Sequence, residues 1–100
     1  MVDFRKPLFS LGRCVTTPSA TQALEEAGVN FGDILDRHVT GDWGKLDKHD
    51  TQANESAIRS GSRILSLYQL STGCELYVIT DAVGDNGSRE ATTIMLRTEY

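Results

Sequence analysis

The residues best suited to chemistry lie in the segment Arg37-His38-Val39-Thr40-Gly41-Asp42-Trp43-Gly44, which holds a histidine, a carboxylate and the only tryptophan of the chain. Histidine suits proton transfer because its pKa lies near neutrality, so His38 is a candidate general acid–base residue. The flanking glycines allow a sharp turn that places the indole of Trp43 against the core or the rim of a pocket. The simpler interpretation, which we favour, is a helix-terminating turn anchored by Trp43, with His38 hydrogen-bonded to a backbone carbonyl.

An enzymatic interpretation would join His38 to an arginine and a threonine in a metal-independent ribonuclease. His38 would act as acid or base on a 2′-hydroxyl, Arg63 or Arg89 would clamp the phosphate, and Thr92 would orient the reacting groups. The order of elements is similar in outline to the barnase, EndoU, colicin and RelE group, which is an analogy of fold only. This hypothesis requires that His38 face a cleft beside an arginine.

A non-enzymatic interpretation makes Asp42, Trp43 and Arg89 the candidate binding residues. The sequence has no P-loop, dinucleotide-binding, zinc-protease or nucleophile-elbow motif. The acidic loop 81–90 lacks the alternate-oxygen spacing of a calcium loop. The two cysteines and two histidines of the chain lack the short paired spacings of a zinc site. We therefore expect neither a metal nor a cofactor.

Start and stop signals predict up to three short helices in the first 60 residues. The first begins at Thr17-Pro18, with Thr17 as N-cap, and ends at Gly28. The second runs from Phe31 to about Val39 behind an Asn30 cap, and its inward stripe includes His38. The third spans residues 47–60, with Asp47 near its cap.

Alternation of apolar and polar residues predicts four strands, at residues 9–16, 62–70, 74–80 and 91–97. Residues 71–73 form a hairpin turn, and Ser66 and Tyr68 point toward the core or a cleft. The predicted fold is α+β: an N-terminal strand, two to three short helices, then a three-stranded antiparallel meander forming one sheet, with the helices on one face. We expect the last strand to be a sheet edge through which two copies could pair.

Composition favours one globular domain, residues 1–100, in the cytoplasm. No apolar stretch is long enough to cross a membrane, and the first residues lack the apolar segment of a secretory signal, so we expect none. The net charge of −4 argues against a nucleic-acid binder except where the nucleic acid is an enzyme's substrate. In a reducing compartment Cys14 and Cys74 are expected to be buried as small apolar residues.

The sequence resembles a family of short bacterial proteins of uncharacterised function that occur on chromosomes, plasmids and phages. The resemblance rests on the His-x-x-Gly-Asp-Trp-Gly block at residues 38–44, the Thr-Pro-Ser-Ala helix start at residues 17–20, and the segments 11–13, 23–28, 61–63, 92–94 and 99–100. Members carry labels such as plasmid-related or associated with type I restriction loci. This chain departs from the pattern in its longer segment 82–90.

Size, acidity and this resemblance favour a small interaction protein from a mobile element that binds a host protein. One such role would be to counteract a host defence system. Acidic proteins can occupy basic grooves by charge complementarity. The metal-independent ribonuclease is the alternative.

Overall fold

The computed structural model describes residues 6–100 and contains a four-stranded mixed sheet with three helices. In chain order the elements are β1 (Arg13–Thr16), α1 (Pro18–Ala27), α2 (Phe31–Val39), α3 (Lys48–Ser60), β2 (Ile64–Gln69), β3 (Glu75–Thr80), β4 (Ala91–Leu96) and a 3₁₀ turn (Arg97–Glu99). The α+β class predicted from the sequence is confirmed.

The helices begin and end where their capping residues predict. The side chains of Thr17, Asn30 and Asp47 each accept a backbone N–H in the first turn of the helix that follows. Gly28 and Gly61 end α1 and α3 with φ of 68° and 82°, in the left-handed region that favours glycine. None of the helices in residues 6–100 has the length and apolar character needed to cross a bilayer.

The N-terminal strand joins the meander and makes the sheet mixed. The strand order is β1-β4-β3-β2, with β1 parallel to β4 and the other pairs antiparallel. The backbone N–H groups of Arg13 and Thr17 donate to carbonyl oxygens of Glu90 and Ile94, both at 3.0 Å. The expectation that the last strand is an edge is therefore wrong, because β1 covers its outer side.

One face of the sheet is packed against the helices. Its residues Tyr68, Leu76, Val78 and Ile94 form one core cluster with apolar residues of α1 and α2: Ala20, Leu24, Ile34 and Leu35. Ile64, on the same face, packs with Trp43 and with Ala57 of α3. We call this the helix face.

The opposite side of the sheet, which we call the open face, carries two rows of side chains that the strand register defines. One row is Val15, Thr93, Ile79 and Leu65, and the other is Met95, Tyr77 and Leu67. In residues 6–100, the apolar helix residues of the two core clusters pack with helix-face residues, and the first turn of α3, at Asp50, lies beside the open-face residues Leu65 and Leu67. The ring of Tyr100 lies against the ring of Tyr77, with 5.4 Å between their centroids.

The outer edge of β2 is closed by a side chain and by a turn. The Asn54 amide of α3 donates to the carbonyl oxygen of Leu65 at 2.6 Å and accepts the Leu65 N–H at 3.0 Å. Two residues along, Leu67 bonds to the backbone of Trp43 and Lys45 at 3.1 and 2.7 Å. These groups take the bonds that a neighbouring strand would otherwise take.

Cys14 is exposed, Cys74 is half-buried, and both are free thiols. The prediction that both are buried is wrong for Cys14, because β1 is the edge strand of the sheet. Partial burial still raises the pKa of the Cys14 thiol, which disfavours the reactive thiolate.

Replacing Asn54 should destabilise the protein by breaking the closure of β2. The variant Asn54→Ala leaves the Leu65 N–H and carbonyl without partners, and we expect a loss of about 1–3 kcal/mol in the free energy of unfolding. Urea unfolding measures it, with Glu55→Ala on the exposed side of α3 as the control. Equal stability of the two variants would contradict the role assigned to Asn54.

Candidate functional site

His38 is completely buried at the end of α2, between the helix and the sheet. Its Nδ1 lies 2.6 Å from the hydroxyl oxygen of Ser66 on β2, and its Nε2 lies 2.9 Å from that of Thr80 on β3. The expected bond from His38 to a backbone carbonyl is thus replaced by two hydroxyl partners. Ser66 is buried and hydrogen-bonded, as its inward position on the strand predicts.

The contacts of His38 continue across the sheet as one chain of hydrogen bonds. The hydroxyl oxygens of Thr80 and Thr92 are 2.7 Å apart, and the Thr92 hydroxyl donates to the carbonyl oxygen of Leu11 at 2.7 Å. We call Ser66, His38, Thr80 and Thr92 the hydroxyl–imidazole chain. Each of its four side chains is 0% exposed.

The far end of this chain fixes the direction of its bonds as far as Nε2 of His38. Because the Thr92 proton is donated to Leu11, its oxygen must accept from the hydroxyl of Thr80. The oxygen of Thr80 therefore accepts the Nε2–H of His38. Burial disfavours a second proton on the ring, so Nδ1 accepts the proton of Ser66. Assigned from this network, His38 is a neutral imidazole protonated at Nε2.

Aromatic rings enclose His38 on its remaining sides. The ring of Phe9 meets it edge-on at 5.2 Å between centroids, and Trp43 does so at 6.0 Å. Burial disfavours the imidazolium and lowers the pKa of His38 to about 4. In this conformation the ring contacts no solvent and cannot reach a substrate.

Asp42 and Trp43 hold the turn after α2. The Asp42 carboxylate accepts from Nε of Arg37 at 2.7 Å and from the backbone N–H of Gly44 at 3.2 Å. Its carbonyl oxygen accepts the hydroxyl proton of Tyr68 at 2.5 Å. Trp43 is 7% exposed and stacks on Phe9, so the interpretation as a Trp-anchored turn is confirmed.

Gly44 is the position in this turn where glycine is required. Its φ is 73°, and a Cβ atom there would lie 2.0 Å from the carbonyl oxygen of Leu67. Only a residue without a side chain lets the turn approach β2 closely enough to pair with it.

The residues proposed for a ribonuclease are not assembled around one cleft. His38 and Thr92 are joined inside the core, whereas Arg63 is exposed and lies over the ring of Tyr100 at 5.5 Å from its centroid. Arg89 lies 5.8 Å from the centroid of Phe9, the ring that packs against His38. The geometry therefore gives no support to His38 as a group that acts on a bound phosphate.

Arg89 is buried at 6% exposure, and three backbone carbonyls surround it. Its Nη1 donates to the carbonyl oxygens of Ser62 and Asp81 at 2.7 and 3.0 Å, and its Nη2 donates to that of Ala57 at 3.0 Å. Desolvation lowers the pKa of the guanidinium. Arg89 thus connects the end of α3, the start of β2 and the end of β3.

Two residues that organise this region carried little signal in the sequence. Thr80 lies at the end of a strand, where its inward position follows from alternation with Val78, but nothing local marks it as a partner of His38. Asn54 lies in a helix of low apolar content. Its pairing with Leu65 depends on how β2 is placed beside α3, which the local sequence does not show.

Among known proteins, no family model, curated protein or solved structure matches this chain.

Lowering the pH should destabilise the protein through His38. Its pKa is about 4 when folded and about 6.5 in an unfolded chain, so between these values the unfolded state binds more protons. Stability is then fully present above about pH 6.5 and is lost progressively toward pH 4, by roughly 3 kcal/mol. Urea unfolding across this range measures it. The variant His38→Gln, which keeps a donor and an acceptor, should show a smaller slope, and an unchanged slope would contradict this origin.

The hydroxyl of Thr92 should contribute to stability, whereas that of its neighbour Thr93 should not. Thr92→Val removes the donor to Leu11 and the acceptor for Thr80, with an expected loss of about 1–3 kcal/mol. Thr93→Val, on the half-buried open face, should change stability by less than about 0.5 kcal/mol. Thermal or urea unfolding of the two variants compares them directly, and equal values would refute the role of the hydroxyl–imidazole chain.

Proposed function

We propose that this protein acts by binding another protein through the open face of its sheet. The observation that carries the proposal is the difference between the two faces. The helix face is filled by the core, whereas the open-face side chains of residues 6–100 belong to neither core cluster and include apolar and aromatic residues.

The centre of the open face is apolar enough to drive association. Ile79 and Leu67 are already buried, at 7% and 8% exposure, while Val15 is 38% exposed at the β1 edge. Leu65 and Met95 are half-buried. A partner that covered these side chains would remove further apolar surface from water, which is the main favourable contribution to association.

The residue types around this centre are those enriched at protein–protein interfaces. Tyr77 and Tyr100 lie ring to ring, and the guanidinium of Arg97 lies 5.8 Å from the centroid of Tyr77. The guanidinium of Arg63 lies over Tyr100. Tyrosine and arginine form most interface hot spots because each combines a large flat contact area with polar donors.

Ion pairs lie at one end of the open face. Glu75 lies 3.2 Å from Arg97 and 3.9 Å from Lys45. These side chains are about half exposed or less, so they form a polar rim next to the apolar rows. An apolar centre with a charged rim is the usual anatomy of a protein interface.

The resemblance to plasmid and phage proteins makes a host protein the first partner to seek, and a defence complex the first class to test. The four residues of the hydroxyl–imidazole chain are structural in this proposal. They hold the sheet against α2 and keep the open face in one shape.

Substitution on the open face should abolish partner binding without unfolding the protein. The tagged protein and the variants Val15→Glu and Tyr100→Ala would be used to capture host proteins, quantified by mass spectrometry. A partner retained by the wild type should bind these variants at least about tenfold more weakly.

The matched control is Phe31→Glu, which changes an apolar side chain of 49% exposure at the start of α2. It should bind the partner as the wild type does. A partner that is lost with Phe31→Glu but retained with Val15→Glu would place the interface on the helices and refute the proposal.

A further inference from the structure

We infer that the pocket beside Arg89 binds a small organic anion, a carboxylate or phosphate group carrying a short apolar tail. This inference concerns a separate surface and goes beyond the protein-binding proposal. The pocket has a volume of about 450 Å³, within the range of ligand sites, and lies between the N-terminal segment, the end of α3 and the loop before β4.

Among the described residues, the two charged ones that line this pocket are both arginines. Arg59 is exposed at the end of α3, and Arg89 is buried. The acidic side chains of the same loop, Asp81, Asp85 and Glu90, line a different pocket. In a chain of net charge −4, a pocket whose lining among residues 6–100 holds two cations and no carboxylate is a local reversal of sign that favours an anion.

Arg89 is a buried cation without a carboxylate partner in the described chain. Its three hydrogen bonds go to neutral carbonyl oxygens, and they use three of its five N–H donors. Taking a cation out of water is costly unless an anion lies close to it. A bound anion would supply that compensation.

Two of the five N–H donors of Arg89 remain for such a ligand, the Nε–H and one N–H of Nη2. Its Nε–H has no hydrogen bond within residues 6–100. Since no fully buried polar side-chain atom in residues 6–100 lacks a partner, Nε is not fully buried. The three carbonyl bonds hold the guanidinium in place, which lowers the entropic cost of binding.

The remaining walls define the rest of the ligand. Leu8, Phe9, Ile58 and Val83 are apolar, and Leu8 and Val83 are 47% and 43% exposed. The serines at positions 10, 60 and 88 add polar groups. Two cations beside an apolar wall fit an amphipathic anion better than an inorganic ion, since only the former would cover these exposed side chains.

The first test is a nuclear magnetic resonance titration of the full chain with octanoate as the probe. Octanoate should shift the Nε–H signal of Arg89 and the amide signals of Gly87 and Ser88 in a saturable manner. Matched titrations with 1-octanol, which lacks the charge, and inorganic phosphate, which lacks the tail, should show at least about tenfold weaker binding. Equal binding of either, or no shift with millimolar octanoate, would overturn the inference.

A pair of charge variants on α3 gives the second test. Arg59→Gln removes the exposed cation of the pocket and should weaken octanoate binding about fivefold to tenfold. Lys48→Gln, in the first turn of the same helix, removes the same charge away from the pocket and should leave binding unchanged. Equal affinity of the two variants would refute the role of the pocket, and neither variant alters the hydrogen bonds of Arg89.

Discussion

The buried bond between His38 and Ser66 and its continuation through Thr80 and Thr92 is the interaction on which the rest of the structure depends. It joins α2 to β2, β3 and β4 and ends on the carbonyl of Leu11, just before β1. Every donor has one acceptor and the order is fixed, so no register shift of a strand can keep all four bonds. Burial disfavours the imidazolium, so this arrangement holds His38 as a neutral imidazole.

Backbone groups at the edge of β2 are also hydrogen-bonded, because a side chain and a turn take the place of a neighbouring strand. Asn54 pairs with Leu65 as a strand would, and the turn at Trp43 pairs with Leu67. Nearby, Arg89 donates to the three carbonyl oxygens that surround it. Polar groups of this kind stabilise only when every member is satisfied, since an unpaired buried group costs as much as the bond provides.

These contacts leave the two faces of the sheet with different tasks. On the helix face, the side chains of the hydroxyl–imidazole chain bond to one another and are buried, so they cannot contact a ligand in solvent. The open face keeps Arg63, Arg97 and Tyr100 exposed, whereas its central residues Ile79 and Leu67 are buried. Both binding proposals therefore concern accessible surfaces, the open face and the pocket beside Arg89, and not the buried His38.

Local signals in the sequence determined the helices, the hairpin and the α+β class, because caps, glycine stops and alternation act within a few residues of the chain. Thr17, Asn30, Asp47 and Gly61 have the roles that their types predict. Only the tertiary structure decided that β1 pairs parallel with β4, that His38 bonds to Ser66 and Thr80, and that Arg63 and Arg89 lie in different places. These facts depend on contacts between residues far apart in sequence, such as Leu11 and Thr92, which no local pattern encodes.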